Sequence, residues 1–215
     1  MKIGVYGCSW TAGIYQGGED SNASWAYQLA ELNPNYEIHQ YAQGGLGNDA
    51  ILYMFEKTKT MYDYTIVKLT SPTRQSFINH EFEPKLGKTD KPNFYWLTKK
   101  SGDMIVTYNL GGKSLQYINR KIWNAVLLNC GYKNYIRHYN IDYKNMIEQK
   151  LAEYLNQTAD LCFCHTVNDK ECYNVLCTEE NIPNFKSHVF DKGYHLTHDG
   201  TKLEAKWIDK IINSR

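Results

Sequence analysis

Two residues at opposite ends of the chain have the chemistry of a catalytic pair. Ser9 ends a Gly7-Cys8-Ser9 turn that directly follows a short apolar segment. His195 stands just before a helical pattern near the other end. A serine hydroxyl is a poor nucleophile until a nearby base takes its proton, so the two residues can act together only if folding makes them neighbours. A serine after a strand followed by a histidine at a helix entrance suggests a hydrolase.

Each member of this pair has a competing interpretation. Ser9 could cap a turn or a helix, as serine commonly does. His195 could be a solvated side chain, and His198 could be the base instead, although three residues later it is expected to point elsewhere. Cys8 could itself be the nucleophile, but a buried thiol without a cationic neighbour is usually inert. We therefore favour Ser9 as the nucleophile and His195 as the general base.

Alternating strand and helix patterns must bring these residues together. The predicted strands are residues 2–7, 36–41, 64–69, 161–165 and a short one at 189–190. Helical patterns occupy residues 24–32, a segment beginning at Asn48, residues 115–155 with a break near Gly131, and the region after Asp199. Strands separated by helices favour parallel pairing. The predicted fold is therefore α/β, a three-layer α/β/α sandwich in which residues 1–215 form one domain.

Residues 75–112 break this alternation. They show no clean period and contain glycine, proline and several aromatic residues. Long irregular segments are unusual in compact domains and often cover functional sites. We expect residues 75–112 to be an insertion that covers the site.

Composition and charge exclude several classes of function. The 215 residues carry 24 basic and 23 acidic side chains, for a formal net charge of +1. This balance predicts no nucleic-acid partner and no binding to an anionic membrane. No apolar run approaches the roughly 20 residues of a membrane span, and the first apolar run is too short for a signal peptide. The six cysteines are expected to be reduced thiols, and the predicted location is cytoplasmic.

Two patterns resemble cofactor sites but have simpler explanations. The residues that could form a zinc set are Cys162, Cys164, His165, Cys172, Cys177 and His188. Cys162 and Cys164 fall two apart on a predicted strand, where they share one face and can fill core volume. A sheet of this kind could bind a flavin, but no phosphate-cradling loop follows the first strand. The sequence therefore predicts no metal and no organic cofactor.

Three short blocks, in the same order along the chain, resemble the SGNH or GDSL-like hydrolase family. Gly7-Cys8-Ser9 is similar to the family's Gly-Asp-Ser block after the first strand. Residues 42–51, which include Gly45, are similar to its second block, and residues 190–196 are similar to its last block. The resemblance spans nearly the whole chain, although each block is short.

This resemblance implies a fold and a set of roles. The fold would be a flavodoxin-like parallel sheet. Ser9 would be the nucleophile, His195 the base and Asp191 the group that orients the base. Backbone N–H groups of Gly45 and Ser9 would hold the oxyanion. Gly45 also has a plainer explanation, as one of a run of glycines in a loop that needs a positive φ.

The chain departs from the family pattern at three places. Cys8 replaces the usual aspartate, a residue that mainly shapes the turn. The third block, normally Gly-x-Asn after the third strand, is missing, and losing such an oxyanion donor typically costs about 10²–10³ in rate. Thr70, Ser71 and Arg74 are the residues available to substitute for it. Asp191 also precedes His195 by one residue more than expected, so either the loop bulges or a backbone carbonyl orients the histidine.

These observations predict a serine esterase or acyl hydrolase that works through an acyl-enzyme. A small acyl ester is the expected substrate, such as an O-acetyl group on a carbohydrate, and the candidate binding residues are Asn48, Thr70 and Arg74. Asn48 could equally be a helix cap, and Arg74 could be solvated or ion-paired. The aromatic residues expected near the cleft are Trp10, Tyr15, Tyr95 and Trp96. Two rival hypotheses remain: a catalytically impaired carbohydrate-binding or structural module, and acyl transfer to an alcohol.

Overall fold

The structure of the protein is a computed structural model. The structure describes residues 1–15, 18–19, 23–70, 74–78, 82–98, 105–109, 141–164, 176–177 and 196–214. Several predictions lie outside the described residues: Asp191 and His195, Ser71, the strand at 189–190, the helix before residue 141, and the possible zinc ligands His165, Cys172 and His188.

Strands and helices alternate along the described chain. The strands are β1 Lys2–Gly7, β2 Ile14–Tyr15, β3 Gly18–Glu19, β4 Glu37–Ala42, β5 Tyr64–Leu69, β6 Arg74–Ile78, β7 Leu86–Lys88, β8 Phe94–Leu97, β9 Ile105–Asn109, β10 Leu161–Cys164 and β11 Leu176–Cys177. The helices are α1 Ser9–Ala12, α2 Trp25–Leu32, α3 Asn48–Thr58, α4 Ile141–Thr158 and α5 His198–Asn213, with a 3₁₀ turn at Lys59–Met61. Four of the predicted strands and the starts of α2, α3 and α5 are thereby confirmed to within two residues.

Seven strands form the central sheet, in the order β11-β10-β5-β1-β4-β8-β7. All neighbouring pairs are parallel except β7 with β8, which is antiparallel. Counting only β1, β4, β5, β10 and β11 in chain order, the spatial order is the 2-1-3-4-5 order of flavodoxin-like folds. The predicted flavodoxin-like parallel sheet is confirmed.

Helices cover both faces of this sheet, because the strands are apolar on both sides. Side chains of α2 and α5 pack on one face with Ile3, Val5, Ile66 and Phe163. We call this side the α2/α5 face. Side chains of α3 and α4 pack on the other, the α3/α4 face, with a second buried cluster that includes Tyr6, Val67 and Cys162. The three-layer sandwich follows directly from this arrangement.

Residues 75–112 contain regular structure that the sequence did not reveal. Strands β7 and β8 extend the central sheet beyond β4, while β6 and β9 pair antiparallel in a separate ribbon. The four strands have only three to five residues each, too few to establish a visible period. β6 lies against α3, and Ser76 Oγ accepts from the backbone N–H of Gly47, the N-cap residue of that helix, at 2.9 Å.

Among the helices that the structure describes, none combines the length and the apolar character needed to cross a bilayer.

Candidate active site

The candidate site lies where β1 and β5 end side by side. Val67 pairs with Tyr6, so Gly7 and Lys68 are the next residues along these neighbouring parallel strands. In a sheet of this order, ligands bind outside the carboxyl ends of the strands at the point where the strand order reverses, which here is between β1 and β5. Ser9 and Thr70 follow these two strand ends, so both stand at the expected ligand-binding position.

Ser9 is the first residue of the short helix α1, and its side chain is nearly buried, with 5% of its surface exposed. Its Oγ donates to Cys8 Sγ at 3.9 Å. A Cβ on Gly7 would collide with the Thr11 side chain, so glycine lets α1 fold back tightly over the end of β1. Gly13, with φ 78°, ends the helix after one turn. The sequence therefore holds Ser9 on a sharp turn directly after the strand.

Cys8 has a cationic neighbour that the sequence did not suggest. Its thiol is fully buried at the edge of the α3/α4 face. Burial by itself would raise the pKa of this thiol, but the charge of Arg74 and hydrogen bonds from Thr70, Trp10 and Ser9 together lower the pKa below 9.0. The expectation that Cys8 has no cationic neighbour is therefore wrong, although the thiol has no exposed surface.

Arg74 and Thr70 form a polar pair beside this thiol. Arg74 Nη1 donates to Thr70 Oγ1 at 2.8 Å. The Arg74 Nε atom is buried and has no hydrogen-bond partner among the described residues. Thr70 is 6% exposed, and Arg74 is half-buried. This pair places N–H donors near the end of β5.

Asn48 joins the start of α3 to the end of β5. Its side chain is fully buried: Oδ1 accepts from the Thr70 backbone N–H at 2.8 Å, and Nδ2 donates to the Thr70 carbonyl at 3.0 Å. The same Nδ2 donates to Glu148 Oε2 on α4 at 2.8 Å. The N-cap residue of α3 is Gly47, so the side chain of Asn48 fixes the Thr70 backbone instead of capping the helix.

Glu148 is a buried residue that sequence reasoning missed. It is 0% exposed on α4, although the residues on either side of it, Ile147 and Gln149, are exposed. A single glutamate in a helix with many polar residues gives no local signal of burial. Its partner Asn48 lies 100 residues earlier in the chain, so only the folded structure reveals the pair.

Gly45 lies in the loop between β4 and α3. Its φ is 85°, a left-handed conformation that favours glycine. Ala42, the last residue of β4, pairs with Gly7 at the end of β1, so this loop leaves the same edge of the sheet as Ser9. The positive φ suits the plainer explanation for this glycine and is equally compatible with an oxyanion-donor role.

Side-chain packing connects the two ends of the chain at this edge. Leu196 is buried and packs against Trp10, the residue immediately after Ser9. Leu196 in turn directly follows His195 in sequence. Helix α5 begins two residues later, with Thr197 as its N-cap accepting from Gly200 N–H at 3.1 Å. The neighbours of Ser9 and His195 are therefore in contact.

His198, the competing base, is the first residue of α5 and is exposed. Tyr95, expected near the cleft, lies against His39, with ring centroids 4.7 Å apart. His39 pairs with Gly4, three residues before the end of β1, so Tyr95 is not at the candidate site. Trp96 packs with the α2/α5 cluster, whereas Trp10 does border the site.

Among the possible zinc ligands, only Cys162 has a side chain that the structure describes. Cys162 is buried in the α3/α4 cluster, and within the described residues no three histidine, cysteine or acidic side chains are grouped as metal ligands.

No protein-family model matches the sequence, and no curated protein matches it significantly.

Proposed function

We propose that this protein is a serine esterase of the SGNH type, which cleaves small acyl esters through an acyl-enzyme on Ser9. The contact between Trp10 and Leu196 is the observation that carries the proposal. It joins the residue after the candidate nucleophile to the residue after the candidate base. Ser9 also stands at the strand-order reversal, where sheets of this type bind their ligands.

The proposed chemistry begins at the Ser9 hydroxyl. His195 Nε2 takes the proton as Ser9 Oγ attacks the ester carbonyl, and Asp191 orients the imidazole. The proton then passes to the departing alcohol oxygen, which leaves an acyl group on Ser9. His195 next removes a proton from water, the hydroxide attacks the acyl carbonyl, and the carboxylic acid leaves as Ser9 is reprotonated.

Backbone N–H groups of Ser9 and Gly45 are the proposed oxyanion donors. The third donor of the family is replaced, in this proposal, by the Thr70–Arg74 pair. Arg74 Nε is a buried N–H without a hydrogen-bond partner among the described residues, so it is available to an oxygen of the substrate. Asn48 supports this pair from behind, because its amide fixes the Thr70 backbone.

An acetyl ester on a carbohydrate is the proposed substrate class, and the protein is proposed to act in a cytoplasm without a metal or an organic cofactor. A nearly balanced charge of +1 gives no reason to expect a nucleic-acid partner.

Turnover of p-nitrophenyl acetate by Ser9→Ala tests the nucleophile. We expect a loss of at least about 10³-fold, the range found when a nucleophile is removed. Ser214→Ala, at an exposed serine at the end of α5, is the matched control and should leave turnover unchanged. A fluorophosphonate should label Ser9, which peptide mass spectrometry can locate. Equal turnover by the wild type and Ser9→Ala would remove Ser9 from the mechanism.

Two single variants, His195→Ala and His198→Ala, test which histidine is the base. The first should lose activity about as strongly as Ser9→Ala, because the pair acts as a unit. The second alters an exposed side chain and should lose little. The opposite ranking would assign the base to His198.

Two observations at Ser9 favour the non-catalytic alternative. Ser9 is only 5% exposed, and its hydroxyl already donates to Cys8. A protein that neither turns over the ester nor reacts with fluorophosphonate, yet binds acetylated sugars, would be a binding module. Product analysis with an added sugar acceptor separates hydrolysis from acyl transfer.

A further inference from the structure

A fully buried ion pair lies on the α2/α5 face, close to the candidate site but outside the proposed chemistry. Lys68 Nζ on β5 donates to Glu204 Oε1 on α5 at 2.5 Å, and both side chains are 0% exposed. Taking two charges out of water is costly, and apolar residues of similar volume often stabilise such a position equally well or better. Stability alone therefore gives no reason for the pair.

Aromatic rings surround the ammonium group of Lys68. The Nζ atom lies 5.6 Å from the ring centroid of Trp10, 6.0 Å from that of Trp25 and 5.5 Å from that of Phe163. A cation within about 6 Å of a ring centroid is attracted by the ring's electron-rich face. The three rings belong to α1, α2 and β10, so one ammonium group contacts three separate elements of the fold.

Two contacts of Lys68, one with Trp10 and one with Glu204, lead to the two halves of the proposed catalytic pair. Trp10 immediately follows Ser9 and packs on Leu196. Glu204 lies in the second turn of α5, the helix that begins just after Leu196. Lys68 thus contacts the Ser9 turn through an indole and the α5 segment through a carboxylate. If α5 shifted along the sheet, Glu204 would lose its charged partner while remaining buried, so the pair selects one position of the helix.

We propose that Lys68 and Glu204 are positioning residues that set the distance between Ser9 and the start of α5, which follows His195 in sequence by three residues. This inference rests on the proposed esterase function. Neither side chain touches the substrate; they act by fixing Trp10 and α5. A displacement of about 1 Å between reacting groups can cost about 100-fold in rate.

The test replaces the charged pair by an apolar one. Lys68→Met with Glu204→Leu keeps the buried volume close to the original, so the double variant should fold. With p-nitrophenyl acetate we expect kcat to fall about 10- to 100-fold while KM changes less than about threefold. Lys150→Met with Glu153→Leu, which removes an exposed ion pair on α4, is the matched control and should change neither constant.

Conservative rescue separates positioning from simple packing. Lys68→Arg with Glu204→Asp restores both charges at a similar combined length and should recover most of kcat. Should the apolar double variant not fold, Glu204→Gln replaces it, because this change keeps the shape and the acceptor oxygen but removes the charge. A folded Glu204→Gln variant should lose kcat about 10-fold without a change in KM.

Hydrogen exchange provides a readout that does not depend on turnover. In the apolar double variant, the amides of residues 196–200 should exchange faster than in wild type, while those of α3 should not change. If Ser9→Ala abolishes turnover but the apolar variant keeps wild-type kcat and exchange, the positioning role is overturned and the esterase function stands. If Ser9→Ala has no effect on turnover, the proposed esterase function is wrong. Unchanged hydrogen exchange in the apolar double variant would then overturn the positioning role on its own.

Discussion

Two glutamates are fully buried on opposite sides of the sheet, and their partners differ. Glu204, on the α2/α5 face, accepts from the ammonium group of Lys68 within a ring of aromatic side chains. Glu148, on the α3/α4 face, accepts from the side-chain amide of Asn48. Both glutamates lie on helices. Glu204 contacts Lys68 near the end of β5, and Glu148 contacts Asn48 at the start of α3. The partner of Glu204 carries a full opposite charge, whereas the partner of Glu148 in this contact is a neutral dipole.

The difference shows how each face constrains the candidate site. A buried ion pair depends strongly on both members, because removal of one leaves the other charge without compensation. Replacing the Asn48 amide removes hydrogen bonds and no charge, so the expected cost is smaller. We therefore expect the α2/α5 face to set the position of α5 strictly. The α3/α4 face should hold the Thr70 backbone with a smaller energy.

The largest effect should follow from breaking the ion pair on one side only. Lys68→Met leaves the Glu204 carboxylate buried without its ammonium partner, and we expect a loss of about 3–5 kcal/mol in the free energy of unfolding. Urea denaturation followed by circular dichroism measures this loss. Adding Glu204→Leu should recover most of it. A single variant as stable as wild type would contradict the claim that the ion pair constrains the α2/α5 face more strictly than the amide contact constrains the α3/α4 face.

A smaller effect is expected at the other glutamate. Asn48→Ala removes two hydrogen bonds to the Thr70 backbone and one to Glu148, which should cost about 1–3 kcal/mol in the free energy of unfolding. Asn35→Ala, at an exposed asparagine, is the control and should cost less than about 0.5 kcal/mol. The same urea experiment applies. A loss larger than that of Lys68→Met would reverse the ranking of the two faces.

The smallest effect, visible only at high pH, concerns the tyrosines of the α3/α4 face. Burial is the main cause that raises the pKa values of Tyr6, Tyr41 and Tyr62 above 10.0. Because the folded state then holds these protons more tightly than the unfolded chain, their contribution to stability is fully present below pH 10. It is lost as pH rises above 10. Tyr62→Phe should make this alkaline loss less steep in thermal melts between pH 9 and 11. Identical slopes for the variant and wild type would contradict the assignment.

Sequence patterns predicted the parts of the fold that local signals control. The apolar run of β5 matched residues 64–69, and the start of α3 at Asn48 was found because a polar residue precedes an apolar period. Strands β7 and β8 were not predicted, because their three and four residues are too few to show an alternating pattern. The Lys68–Glu204 pair could not be predicted, because its members are 136 residues apart and neither has a local pattern of its own.

The candidate site shows the same limit. Gly7 and Ser9 could be assigned to a turn after a strand because the glycine and the apolar run are adjacent in sequence. The approach of Arg74 to Cys8 depends on how the chain leaves β5, which no short pattern encodes. The pairing of Ser9 with His195 stays a prediction, now supported by the contact between Trp10 and Leu196.

Strand β7, at one border of the sheet as described, has a consequence for behaviour at high concentration. It comprises only Leu86–Lys88, runs opposite to its neighbour and carries an exposed lysine at its end. A short, charged border strand presents few free backbone groups to a passing chain, and natural proteins use this device against edge-to-edge association. This border of the sheet should therefore resist the strand-by-strand stacking that leads to fibrils.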